Sequence, residues 1–183
     1  IIEQPTNLSS CVFNNSIFII NTNLIDLYQW QVSTNNGVDW LNISDTENYI
    51  GSTSNRLTIK DTPIGFNNYT FRVYMEKTGN SCGVFSNEVK LTVNPLPIVK
   101  SKVELVQCDD DNDGFSFFNL NEANELISED YENETFEFFT DLDLTKLIEN
   151  QIAYKNPIII NSNVFVKITN ANGCENFSEI ILK

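Results

Sequence analysis

The sequence predicts an all-β protein of two tandem antiparallel sandwich domains, residues 1–94 and 95–183, and three observations predict it. Phe, Tyr, Ile, Val, Thr and Asn are abundant among the 183 residues while Ala and Met are scarce, which favours strands and turns over helices. Short segments of alternating apolar and polar residues recur between clusters of turn residues. Asn94-Pro95-Leu96-Pro97 interrupts the pattern midway. Two prolines one residue apart stiffen the chain and end strand pairing, so a short stiff linker joins the halves.

In the first half, Ile17–Ile20 reads as a short strand. Tyr28 to Val32 alternates, which puts Tyr28, Trp30 and Val32 on one face. Asn36-Gly37 is a hairpin signal, and the return strand carries Trp40. Arg56–Lys60 is a strand with Leu57 and Ile59 inward. Tyr69–Met75 alternates cleanly, and after a turn Cys82 opens a last strand through Val93. In the second half, strands are expected at Val103–Cys108, Phe115–Phe118, Thr135–Phe139, Pro157–Ile160, Val164–Thr169 and Phe177–Leu182. Asn121–Ile127 has helical spacing with Asn119 or Asn121 as N-cap. Asp141–Glu149 reads as a helical turn.

The chain has four cysteines, Cys11, Cys82, Cys108 and Cys174, and no His. No CxxC pair is present, so a zinc site is not expected. Each half owns one cysteine near its start and one near its end. The two halves also share an ending, Cys82-Gly83-Val84-Phe85-Ser86 against Cys174-Glu175-Asn176-Phe177-Ser178. Four cysteines allow three pairings, and this repeat selects Cys11–Cys82 and Cys108–Cys174. Two intradomain disulfides imply an oxidising, extracytoplasmic compartment.

Charge is unevenly placed. Residues 1–94 hold 5 Lys/Arg and 8 Asp/Glu, a net of −3, and residues 95–183 hold 6 and 17, a net of −11. Such acidity argues against nucleic acid, which needs clustered cations. No apolar run is long enough to span a bilayer, so membrane insertion is not expected. The sharpest local signal is Cys108-Asp109-Asp110-Asp111-Asn112-Asp113-Gly114. Asp109, Asp111 and Asp113 alternate, and a tight turn at Gly114 aims alternate carboxylates at one point, a donor set suited to Ca²⁺. The Phe115 carbonyl corresponds to position 7 of an EF-hand loop. Leu120 stands at the twelfth position, where that loop carries Glu, so Asn119, Asn121, Glu122 or water completes the set. The ion would be structural.

Nothing marks a reaction centre. There is no Gly-rich phosphate loop and no nucleophile elbow, and no His to activate a thiolate. Acidic pairs such as Asp141 and Asp143 look like solvated surface. Trp30 reads as core. Trp40, Tyr49 and Phe66, nearer turns, are positions able to stack on a sugar ring, although small sandwiches need such rings inside.

Residues 5–94, with Gln29-Trp30-Gln31-Val32-Ser33-Thr34-Asn35-Asn36-Gly37-Val38-Asp39-Trp40 and Asn68-Tyr69-Thr70-Phe71-Arg72-Val73, resemble the immunoglobulin-like repeats of secreted Bacteroidetes surface proteins. Val73 stands where many such domains carry a strand cysteine. Residues 95–183, with Pro95-Leu96-Pro97 and the run from Cys108 to Leu120, resemble a repeat of large cell-surface adhesins from gliding bacteria that use type IX secretion. That pattern has Asp where this chain has Asn119. The resemblance implies immunoglobulin-like sandwiches at the cell surface in a non-catalytic, calcium-stabilised stalk or adhesive array. Its implied partners are neighbouring repeats of the same polypeptide and surface glycans or other cell-surface proteins. The rival reading is an accessory or carbohydrate-binding module of a secreted polysaccharide-degrading enzyme.

Overall fold

The computed structural model describes the chain except residues 80–81, 110–112 and 160–161. The chain divides into two compact units, Ile1–Pro95 and Leu96–Lys183. Among the described residues no helix is long and apolar enough to cross a membrane.

The first unit contains β1 (Leu8–Cys11), β2 (Ser16–Ile19), β3 (Leu27–Ser33), β4 (Leu41–Asn42), β5 (Tyr49–Ile50), β6 (Arg56–Ile59), β7 (Thr70–Glu76), β8 (Val84–Phe85) and β9 (Val89–Asn94). One sheet has the order β1-β9-β7-β3-β4 with β8 also on β7, and the other is β2-β6-β5. Strict alternation on β7 buries Phe71, Val73 and Met75 and turns Arg72 and Tyr74 outward. Trp30 lies opposite Val73 across the β3–β7 ladder. Phe18 of β2 reaches both sides of it, with its ring 6.2 Å from Trp30 and 5.0 Å from Phe71. Together with Leu57 and Ile59 of β6, these rings close a two-sheet sandwich. The indole N–H of Trp30 donates to the Ser54 carbonyl at 2.9 Å, so its burial leaves no lost hydrogen bond. This strand order and central Trp are those of an immunoglobulin-type sandwich.

Two features of this unit depart from expectation. The last strand is split at Ser86, whose N–H still donates to the Val73 carbonyl at 2.9 Å while its hydroxyl accepts from the Val73 N–H at 3.0 Å. The pairing is also not wholly antiparallel. β1 lies parallel to β9, with Cys11 level with Asn94. A parallel pair needs a long intervening chain, and the first and last strands of a unit have one.

The second unit contains β10 (Lys102–Leu105), β11 (Phe117–Phe118), a 3₁₀ turn (Leu120–Ala123), α1 (Asn124–Ile127), β12 (Thr135–Phe139), β13 (Tyr154–Lys155), β14 (Ser162–Thr169) and β15 (Glu175–Leu182). A four-stranded sheet, β10-β15-β14-β12, faces a two-stranded ribbon, β11-β13. Alternate residues of β14 and β15, namely Val164, Val166, Ile168, Ile180 and Leu182, form the sheet's share of the core, and Leu120, Ala123 and Ile127 cover them. The second layer is thus a ribbon and a helical segment, where a full sheet was expected. β10 again runs parallel to the last strand, β15. The ribbon strand is Tyr154–Lys155, ahead of the expected residues 157–160. Residues 157–159 bend, and residue 160 lies outside the described residues. No helix forms over 141–149. Asp141 organises a turn there, accepting from the Thr145 hydroxyl at 2.6 Å and the Lys146 N–H at 2.8 Å, and the Thr145 bond leads in holding its pKa below the ordinary value.

Tyr49 stacks on Phe66 at 5.7 Å and Phe66 on Tyr69 at 4.9 Å, so these rings pack on one another. Burial first, then the neighbouring Tyr69, pushes the Tyr49 phenol up to about 12 from 10.0. A folded-state pKa above the unfolded one gives stability that is full below pH 10.0 and lost as pH rises through about 12. The first unit should therefore weaken over that window. Both tryptophans lie in this unit, so denaturant unfolding followed by tryptophan fluorescence reports it. Tyr49→Phe should flatten the alkaline loss, and an unchanged slope in that variant would refute the assignment.

Candidate functional site

The cysteines depart from the expected pairing. Cys11 and Cys174 are disulfide-bonded, whereas Cys82 and Cys108 are free and exposed. The bridge is Cys11–Cys174. The reason lies in the parallel pairs. In the first unit Cys11 ends β1 beside Asn94, while Cys82 follows the turn beyond the far end of β7. In the second, Cys108 follows β10 beside Lys183, whose carbonyl accepts from the Gln107 N–H, while Cys174 precedes the start of β15. Each proposed intradomain pair would have to cross a strand length of roughly 20 Å, and a disulfide needs Cα atoms within about 7 Å. Cys11 instead sits at the end of its unit where the chain leaves, level with Asn94. Cys174 sits at the end where the chain enters, two residues before Asn176, whose Nδ2 donates to the Pro97 carbonyl at 2.9 Å.

In the acidic loop, Asp109 Oδ2 accepts from the Gly114 N–H and Asp113 Oδ1 from the Phe115 N–H, both at 2.7 Å. Asp111 lies outside the described residues. Gly114 has φ +85°, and a Cβ there would stand 2.5 Å from Ile159 Cγ2, so only glycine fits. The loop's second half is pinned by a buried residue that sequence reasoning missed. Asn156 accepts from the Ser116 N–H at 2.7 Å and donates to the carbonyls of Gly114 at 3.1 Å and Ile158 at 2.8 Å. One side chain thus satisfies three backbone groups from two segments, and no periodicity announces such a residue. Phe115 lies under Lys155, with the ammonium 4.8 Å from its ring. Asn119 is placed elsewhere: its Oδ1 accepts from the Asn121 N–H, capping the 3₁₀ turn, and its Nδ2 donates to Glu122 at 3.2 Å. The structure keeps Asp109 and Asp113 in one turn and commits the Asn119 side chain to the next element.

The outer face of the first unit carries a stack that was also missed. Arg72 lies between Trp40 and Phe85, its guanidinium carbon 4.0 and 4.1 Å from the two rings. Its Nε donates to Gln31 Oε1 at 2.8 Å, and Tyr74 tilts against Phe85 at 5.2 Å. Alternation on β7 puts Arg72 and Tyr74 on one face, which was the available signal. Arg72 covers a face of Trp40, and Phe66 covers one of Tyr49, which accounts for two suggested sugar platforms by packing within the chain.

The fold and the bridge define a class: a mostly β pair of modules joined covalently through a disulfide between cysteines of different units. A family described as the Flavobacterium inter-domain disulphide bond domain matches residues 104–183. No curated protein matches the chain. Solved structures similar to it include an I-band fragment of titin, 14% identical over 98% of this chain and 63% of that one with a TM-score of 0.39. The four N-terminal Ig domains of Dscam1 isoform 6.9 are 9% identical over 97% and 44% with a TM-score of 0.44. The chain thus spans less than two thirds of either structure.

Proposed function

We propose that this chain is a non-catalytic pair of structural modules from an exported cell-surface protein, serving as a load-bearing stalk or as adhesive repeats. The Cys11–Cys174 bridge carries the reading. Tension applied to the two ends of the chain runs along residues 1–11, through the S–S bond, and out along residues 174–183. Residues 12–173 are bypassed, so of the strands only β1 and β15 lie in the path of the force. Such a bridge also requires an oxidising compartment, which fits export. The acidic surface, net −14, keeps such a protein soluble. Neighbouring repeats of one large polypeptide are its proposed partners, and export by type IX secretion in a gliding bacterium is the proposed setting, on the resemblance stated above.

We propose also that the loop at Asp109, Asp111 and Asp113 takes one Ca²⁺, with the Phe115 carbonyl as a further donor. The oxygen-only donor set fits a hard cation, and Asp109 and Asp113 are each fixed by a backbone N–H, of Gly114 and of Phe115. The Asn119 amide does not fit the set, since its oxygen caps the next turn. When bound, the ion would neutralise the densest charge of the acidic unit.

Single-molecule pulling from the two ends tests the mechanical reading. The oxidised chain should extend by its short terminal segments alone. After reduction it should release the 163 residue steps from Cys11 to Cys174, roughly 550 Å of extended chain. Equal extension in both states would overturn the proposal. Specific retention on a glycan array would favour the carbohydrate-binding rival.

Calorimetric unfolding with Ca²⁺ and with chelator tests the ion. The second unit should melt higher with calcium, by about 2.7 kcal/mol at a hundredfold excess over Kd, while the tryptophan-reported unfolding of the first unit stays put. Asp111→Ala should remove most of the gain. Identical melting in both conditions would show the loop to be only an acidic turn.

A further inference from the structure

The two units carry equivalent cysteines, and the bridge uses one of each kind. Cys11 ends the first strand of its unit, level with Asn94 at the end of β9, and Cys108 comes shortly after the first strand of its unit, next to Gln107, whose N–H donates to the carbonyl of Lys183 just past β15. Cys82 and Cys174 both follow the turn that leads into the last edge or strand of their unit, and both begin the shared Cys-x-x-Phe-Ser segment. The bridge therefore joins the after-first-strand cysteine of one unit to the before-last-strand cysteine of the next. Left over are one cysteine of each kind, Cys82 and Cys108, both free and exposed.

Both leftover cysteines are exposed, and contacts beside each of them fix the neighbouring backbone. A Cβ on Gly83 would collide with the Tyr74 ring, so the chain beside Cys82 is pressed flat on that ring. The Tyr74 hydroxyl is bonded to Glu76 at 3.2 Å, which fixes the platform. The Cys108 carbonyl accepts from the Ser116 hydroxyl at 3.3 Å, and the preceding N–H is tied to Lys183. An oxidising compartment that forms Cys11–Cys174 does not leave exposed thiols idle.

We propose that Cys82 and Cys108 are the two open ends of a disulfide ladder. Cys108 bonds to the before-last-strand cysteine of a following module, and Cys82 to the after-first-strand cysteine of a preceding one. The partner is thus a module of the same build, and for two copies of this chain the bond is Cys108 of one to Cys82 of the other. With glutathione disulfide as oxidant, the Cys108 thiolate attacks one glutathione sulfur and releases one glutathione. The Cys82 thiolate then attacks the Cys108 sulfur and releases the second. Two protein thiols and one glutathione disulfide become one protein disulfide and two glutathiones, so electrons and protons balance. The proposal rests on reading the chain as modules of an array, but not on that array bearing load.

The test mixes two single variants of the full chain, Cys82→Ser and Cys108→Ser, in a glutathione redox buffer. Each retains the Cys11–Cys174 bridge and one free thiol. The mixture should give a covalent dimer through Cys108–Cys82, at least about tenfold more than either variant gives alone. The unsubstituted chain should give longer oligomers whose non-reduced peptides contain the same bond between chains. Homotypic Cys82–Cys82 and Cys108–Cys108 dimers in equal yield, glutathione-capped monomers alone, or a Cys82–Cys108 bond within one chain would each overturn the ladder. Loss of the pulling behaviour described above with the heterotypic dimer retained would refute the load-bearing role and leave this inference standing.

Discussion

The rest of the structure depends on the parallel pairing of the first strand of each unit with its last. β1 on β9 and β10 on β15 are the same arrangement used twice. It puts the start and the end of a unit's sheet in register, so that the residue after the first strand lies beside the residue leaving the last. A cysteine after the first strand is thereby carried to one end of the unit, and a cysteine before the last strand to the other. Within a unit they are separated by a strand length, which no native disulfide spans. The bridge must then leave the unit, and Cys11–Cys174 does so. Covalent economy inside each unit is given up. Each module instead relies on its own packing: the Phe18, Trp30 and Phe71 rings in one, and the β14–β15 face under Leu120, Ala123 and Ile127 in the other. Closing the long loop between the modules disfavours the unfolded chain in either of them, by roughly 5 kcal/mol in the chain-entropy model.

The second unit shows how a small domain compensates for a thin second layer. Its ribbon has two residues per strand, too few for a stable sheet by itself. Asn156, next to that ribbon, ties residues 114, 116 and 158 together and welds the acidic loop to it. The loop is thus part of the fold as well as a cluster of charge. Surface ion pairs such as Lys167 with Glu137 at 2.6 Å add little by comparison, since exposed pairs are screened.

Much of this was legible in the residues, and the limits have physical causes. The sequence marked strands at Arg56–Lys60, Tyr69–Met75 and Val164–Thr169, and strands form there over Arg56–Ile59, Thr70–Glu76 and Ser162–Thr169, because one face of each is buried and the other wet. The shared Cys-x-x-Phe-Ser endings revealed the repeat. Strand direction was not legible, since side chains alternate with period two whether a partner runs parallel or antiparallel. That single ambiguity turned two intradomain disulfides into one between units. Side-chain hydrogen bonds over long separations were equally silent. Ser86 breaking the final strand, Asn156 pinning the loop and Asp141 replacing a helix with a turn each depend on a partner that periodicity does not name. Arg72 between Trp40 and Phe85 unites residues of three different strands or loops, so only the outward register of Arg72 could be read beforehand.

The central claim is that strand direction dictates disulfide connectivity. Alkylation of free thiols in the 183-residue chain, followed by non-reducing peptide mapping, tests it most directly. For the monomeric chain, alkylated before any incubation in a redox buffer, the account predicts one disulfide-linked peptide pair, containing Cys11 and Cys174, with Cys82 and Cys108 recovered alkylated. Recovery of Cys11 linked to Cys82, or of Cys108 linked to Cys174, would contradict it, because the paired cysteines of a unit would then have to lie at the same end of its sheet.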